Sequence, residues 1–332
     1  MAGSCQNRVQ KTSVLFEKTL PFFPLPPYYQ GMFIDIHAHA YRAGCPPADG
    51  NIVFATPSEV LKRYDELEIE RGVVLPLIGP EVYLPQSNED ILDMCERSGG
   101  RLIPFCNLDP RGLTNSPAAP FDLWLNHYQK RGCKGIGEVM PNLPFEDPRC
   151  QNLFKQVEAV GFPLIFDIAD RIGGTYGFYD DPGLPQLERT LKRFPKLKIL
   201  GHGPAFWAEM GTLDTPADRG TYPLYPIRVE GVVPKLFRRY PNMYGDLSAG
   251  SGYNAFARDP ANAVKFLNEF QDRLLFGTDI CYATQPLPMA EFLKDLRRQE
   301  KISESVFRKI ARDNAIALLG LYSPEKRQRI GR

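Results

Sequence analysis

Two histidines one residue apart, His37 and His39, close the apolar run MFIDIHA. Side chains two apart on a strand share a face, so a strand here projects both imidazoles together and turns Ile34, Ile36 and Ala38 toward the opposite side. Two imidazoles within a few ångströms are a natural start for a transition-metal site. The plainer reading is that each ring hydrogen-bonds a polar neighbour. The chain has only four histidines, and a second apolar run, KILGH, ends in His202. Carboxylates stand at or next to the end of three more: Glu138 in GIGEV, Asp167 in PLIFD and Asp279 in LLFGTD. Taken singly, each has an ordinary explanation: a helix cap for Glu138 or Asp167, an arginine partner for Asp279, a satisfied core histidine for His202. Together they resist it, because polar residues are disfavoured at the ends of such apolar strands.

The elements that must position these residues follow a regular alternation. Short apolar runs suited to buried parallel strands start at Met32, Gly72, Leu102, Cys133, Pro163, Leu197, Met243 and Arg273, which makes eight. Amphipathic stretches lie between them. In TPSEVLKRYDELEIE, Thr56 can cap the helix start, Pro57 suits the first turn and Glu59 completes a capping box. Others include NEDILDMCERSG, FDLWLNHYQKRG, CQNLFKQVEAVG, LPQLERTLKRFP and ANAVKFLNEFQ, several of them stopped by Gly or Pro. Eight strands with intervening helices fit an α/β fold of the (β/α)8 TIM-barrel type, in which active sites occupy the carboxyl-terminal face. An open doubly wound sheet is the alternative, but no glycine-rich dinucleotide fingerprint follows the first strand.

The 332 residues accommodate one barrel of about 250 residues with extensions. Residues 1–31 read as an irregular amino-terminal arm, 32–322 as the barrel and 323–332 as a basic tail. With 43% apolar and 24% charged residues and a formal net charge of +1, the chain offers no field for nucleic acid or an anionic membrane. A small molecule is the expected partner. Seven cysteines without a Cys-x-x-Cys pair suggest free thiols. The stretch SVLFEKTLPFFPLPPYY is broken by charges and prolines, so it reads as neither signal peptide nor membrane span. A cytoplasmic location is the resulting expectation.

The motifs MFIDIHAH, LGHGPAFW and DRLLFGTD resemble those of the amidohydrolase-related superfamily of metal-dependent barrel hydrolases. The resemblance runs from about Met32 to Gly320 and is nearest the "amidohydrolase 2" group, which contains aminocarboxymuconate semialdehyde decarboxylase, resorcylate decarboxylases and lactone or amide hydrolases. It implies that His37 and His39 bind metal from strand one and that Asp279 binds metal and handles a proton. It further implies that His202 orients or deprotonates the metal-bound water, and that Glu138 matches a strand-four carboxylate that bridges or supports metal in some branches. The strand-five position departs from the family, which usually has a metal-binding histidine where this chain has Asp167. Aspartate ligates zinc or manganese through a harder, charged oxygen. Barrels of this group often form homodimers, and the arm offers a contact for one.

A divalent metal, zinc first and manganese second, would lower the pKa of bound water toward about 7 and polarise a substrate oxygen. Three functions fit: hydrolysis of a C–N, C–O or ester-like bond in a small molecule, with or without a carboxylate; nonoxidative decarboxylation of an aromatic or unsaturated acid; or a barrel without catalysis that binds a ligand. Loop candidates for shaping the substrate are Arg42, Arg171, Tyr176, Trp207, Arg228 and Tyr253. Arginines would fork onto a carboxylate, and Trp207 and Tyr253 would wall a flat ring. Cys281 reads as a buried thiol and His127, on a helix, as structural.

Overall fold

The computed structural model describes residues 32–42, 54–82 and 86–321. The arm 1–31 and the tail 323–332 lie outside the described residues. Eight parallel strands carry the fold: β1 (Phe33–Ala38), β2 (Ile69–Val74), β3 (Leu102–Pro104), β4 (Ile136–Val139), β5 (Leu164–Phe166), β6 (Ile199–Gly201), β7 (Met243–Asp246) and β8 (Leu274–Leu275). They run β1-β2-β3 in one sheet and β8-β7-β6-β5-β4 in another. Parallel bridges join the two at both edges, Ala38 to Ile280 and Cys106 to Ile136. The backbone N–H of Ile36 donates to the Phe276 carbonyl at 3.0 Å and that of Gly137 to the Cys106 carbonyl at 2.9 Å. The strands therefore follow one another around a ring, the closed arrangement the eight repeated units called for.

Helix starts follow local chemistry. Thr56 and Ser87 cap Pro57–Glu66 and Asn88–Arg97, each in a reciprocal capping box with the residue three positions on. The first helix is shorter than its sequence suggests. Glu68 turns the chain with φ 60°, and β2 begins at Ile69 inside the stretch expected to be helical. Between Ser248 and Phe270 two helices form, Ala249–Ala257 and Pro260–Glu269, where one was expected.

The interior shows a second departure. Ile34 and Ile36 do not face the helices. They belong to a cluster with Val73, Leu75, Ile103, Phe105, Ile165, Leu200 and Leu275, alternate residues of the other strands, closed from below by Ala315 and Leu319 of the last helix. Phe33 and Ala38 pack in the outer layer. The register of β1 against β2 shifts between Asp35 and Ala38, so the alternation resets there and Ile36 and His37 both face inward. The lumen is thus apolar at its floor, each large aliphatic contributing roughly 1.5–3 kcal/mol on burial, and polar at its upper rim.

Candidate metal centre and active-site pocket

The rim gathers side chains from six strands. His37 and His39 come from the end of β1, Glu138 from β4 and Asp246 from β7; Asp167 and His202 directly follow β5 and β6, and Asp279 lies in the segment after β8. The backbone ties them into place. Asp279 has a left-handed backbone, φ 52°, which aspartate tolerates better than most residues. Its N–H donates to the His37 carbonyl at 2.7 Å across the seam of the barrel. Asp35, fully buried, accepts from the N–H groups of His37 and Thr278 at 2.9 Å each, and from the Tyr64 hydroxyl at 2.9 Å.

The two imidazoles are oriented through Nδ1. That of His39 donates to the Leu75 carbonyl at 3.0 Å, and that of His37 meets Asp246 Oδ2 at 2.7 Å. Both Nε2 atoms consequently point to one place and lie 3.0 Å apart. Glu138 Oε2 is 3.7 and 3.5 Å from the Nε2 atoms of His37 and His39, and Asp279 Oδ1 is 3.4 and 3.3 Å from them. A tetrahedral ion bound at about 2.0–2.1 Å spaces its ligand atoms roughly 3.3 Å apart. The two nitrogens with Glu138 Oε2, and likewise with Asp279 Oδ1, lie at separations that suit a divalent transition metal in both donor type and spacing.

The same carboxylates favour positive charge at this point. Burial works against the His37 imidazolium, yet Asp246 and Asp279 outweigh it and hold its pKa well above the ordinary range. Burial is likewise overcome at His39, where Asp279 and Glu138 push it up to about 9. In return, Glu138 and Asp279, which burial alone would raise, are held below the usual carboxylate range by the histidines.

Asp167 behaves differently. Burial and then the nearby Glu138 carboxylate push its pKa well above the usual range. It sits in a cradle of two glycines with left-handed backbones. A Cβ on Gly177 (φ 99°) or Gly203 (φ 94°) would stand 2.8 Å from Asp167 Oδ1. Both positions require glycine, for backbone and for space. Across from it, His202 Nε2 lies 3.7 Å from Glu138 Oε1, 3.9 Å from Asp167 Oδ2 and 4.0 Å from Asp279 Oδ2. Glu138 stands between two groups, with Oε2 toward the β1 histidines and Oε1 toward His202. Glu138, Asp167 and His202 are themselves close enough to share an ion.

Above these residues opens a cavity of about 260 Å³ walled by Tyr41, Phe54, Leu77, Val82, Met140 and Tyr176. Its polar lining comprises Glu81, Glu138, Asp167, Asp279, His39 and His202, with Cys281 at the border and no lysine or arginine among the described residues. Residues 43–53 and 83–85, next in sequence to Phe54 and Val82, contain none either. The Glu81 carboxylate is occupied by a two-pronged contact from Arg111, 2.7 Å on each oxygen, and by the Asn142 N–H. A larger cavity of about 360 Å³ beside Glu209 and Arg219 contains none of the rim histidines and carboxylates, so volume alone does not mark the site.

Of the residues expected to contact substrate, Tyr176 lines the cavity. The short strands Ile168–Ala169 and Phe178–Tyr179 pair in parallel and fold the loop between them back over the rim, helped by the Gly177 N–H on the Met140 carbonyl at 2.8 Å. Tyr176 is half exposed, and the Asp167 charge followed by burial raises its phenol. The other candidates lie outside the lining. Arg171 and Arg228 are exposed and paired with Asp170 and Asp214, and Arg42 is exposed and paired with Asp90. Tyr253 packs edge-on against Phe292. Trp207 is core, its Nε1 donating to the Asp246 carbonyl at 3.0 Å. Cys281 is a thiol raised by burial, Sγ 3.7 Å from Asp279 Oδ1, and not an activated nucleophile. His127 lies on the helix Phe121–Lys130 against the rings of Trp124 and Tyr128, away from the pocket. Sequence reasoning missed Asp246, although it ends MYGD just as Glu138 nearly ends GIGEV.

The family model described as Amidohydrolase matches residues 34–321. Among solved structures, a probable 2-pyrone-4,6-dicarboxylic acid hydrolase from Acinetobacter baumannii aligns at 15% identity and TM-score 0.53, over 87% of this chain and 99% of that one. A 5-carboxyvanillate decarboxylase from Sphingomonas paucimobilis aligns at 16% identity and TM-score 0.56, over 87% and 99%. An uncharacterised TIM-barrel protein from Bordetella bronchiseptica does so at 16% identity and TM-score 0.59, over 87% and 98%. No curated protein matches. At these identities the likeness is one of fold.

Proposed function

The chain belongs to the amidohydrolase family, and on that premise we propose that it is a metal-dependent hydrolase of a small, uncharged, flat or apolar molecule. The observation that carries this reading is the pocket's charge: four carboxylates, two imidazoles and no basic side chain among its described lining residues. With no lysine or arginine in the described lining, an anionic substrate has no permanently cationic side chain to receive it. With Arg171 and Arg228 outside the lining, a carboxylated substrate has no fork to receive it.

His37, His39, Glu138 and Asp279 would hold the divalent ion, zinc by its preference for mixed imidazole and carboxylate donors, with manganese next. When bound, such an ion lowers the pKa of a coordinated water and polarises a carbonyl oxygen. The chain's own groups do the rest. Asp279 Oδ2, 4.0 Å from His202 Nε2, stands where a proton can be taken from the attacking water and handed to the leaving group. The apolar walls and Tyr176 orient the substrate and limit water.

The test is product analysis on a panel of small lactones, esters and amides alongside aromatic acids. Cleavage of uncharged members without carbon dioxide, abolished in His37→Ala, supports hydrolysis. Release of carbon dioxide from the acids would replace it with decarboxylation.

A further inference from the structure

We propose that Asp246 is a positioning residue that fixes the ring tautomers of His37 and His202 together, so that a metal-ligand candidate and the proton-accepting candidate both offer lone pairs to the same space. The proposal rests on the metal-site reading above. One oxygen does both tasks: Asp246 Oδ2 is 2.7 Å from His37 Nδ1 and 3.2 Å from His202 Nδ1. The carboxylate has little freedom to do otherwise. Asp246 is fully buried, its Oδ1 accepts the Ser248 N–H at 3.0 Å, its carbonyl accepts Trp207 Nε1, and its strand position is paired with Leu275.

An ionised carboxylate only accepts hydrogen bonds. Each Nδ1 facing it must therefore carry a hydrogen, since a nitrogen lone pair at that distance would oppose the oxygen's own. In the zinc-loaded protein, where a cation and not a proton balances the carboxylates, each imidazole is neutral and has a single N–H, so both Nε2 atoms are left bare. For His37 the bare Nε2 faces His39 Nε2. For His202 it faces Glu138, Asp167 and Asp279 at 3.7 to 4.0 Å, beyond hydrogen-bond reach of each, so its lone pair is not engaged by them. The competing arrangement has Ser248 Oγ, 3.1 Å from His202 Nδ1, donating to that nitrogen, which would place the hydrogen on Nε2 and make His202 a donor.

Nitrogen-15 NMR of the histidines in zinc-loaded protein distinguishes the two. The expected result is a hydrogen on Nδ1 of both His37 and His202. A hydrogen on Nε2 of His202 overturns the proposal, and this reading needs no variant to fold. In Asp246→Asn, with folding checked by thermal melt, zinc competition against a chromophoric chelator should show affinity weakened about ten- to a hundredfold. Wild-type zinc affinity with both tautomers unchanged in that variant overturns it, as does a tautomer switch of His202 in Ser248→Ala. Failure of the wild-type protein to bind zinc would instead sink the metal-site reading, leaving the His202 tautomer measurable by itself.

Discussion

His37 Nε2 and His39 Nε2 lie 3.0 Å apart while each ring's other nitrogen is engaged elsewhere, at Asp246 and at the Leu75 carbonyl. Two imidazole nitrogens at that separation demand something positive between or beside them, and Glu138 and Asp279 complete the demand from the other side. A protein does not keep two carboxylates and two imidazoles buried together without a compensating cation or proton.

Asp167 stands on the far side of Glu138, in a cradle that admits no Cβ. If it contributes to an ion's hold, Asp167→Ala weakens metal affinity about tenfold or more, by analogy with the loss of groups that support metal ligands. Titration with zinc against a competing chelator measures this. Unchanged affinity removes Asp167 from the ligand set and leaves it as a pocket acid.

Tyr176 lines the cavity, whereas Arg171 and Arg228 are surface residues with aspartate partners. Tyr176→Ala should raise KM several-fold with a smaller change in kcat, and Arg171→Ala and Arg228→Ala should leave both within about twofold, as surface charges paired in water contribute little. Steady-state kinetics on a cleaved substrate checks all three. A large KM increase in either arginine variant would restore the carboxylate fork that the pocket lining argues against.

The placement of charge at the ends of strands was legible in the sequence because apolar runs of strand length stop abruptly at His37, Glu138, Asp167, His202 and Asp279. The ring of eight strands followed from counting the same runs. The inward turn of Ile34 and Ile36 was not legible, because a register shift between Asp35 and Ala38 breaks the two-residue alternation, and such a shift leaves no mark in composition. Loop residues were harder still: nothing local distinguishes Trp207, which a four-residue helix tucks into the core, from Tyr176, which a two-residue strand pair swings over the rim. Asp246 was overlooked because its importance lies in contacts with His37 and His202, which are far from it along the chain.

Asp180 gives a stability signature independent of the site. Its carboxyl accepts from the N–H groups of Gln186 and Leu187 at a helix start, but burial dominates and raises its pKa from 3.8 to about 6. The folded state then binds the proton more tightly than the unfolded chain. Stability from this group is present below pH 3.8 and lost as pH rises through 6. Relative to Asp180→Asn, the wild type should lose about 2–3 kcal/mol between pH 4 and 8, read from urea unfolding at the two pH values. A constant difference, or one of opposite sign, would contradict the assignment.

We propose that the rim of this barrel holds a divalent ion through His37 and His39. Elemental analysis of purified protein after dialysis tests it directly: about one or more divalent ions per chain are expected in the wild type and none in His37→Ala. Finding no ion in either preparation, even after incubation with zinc or manganese, would rule out a metal centre at this rim.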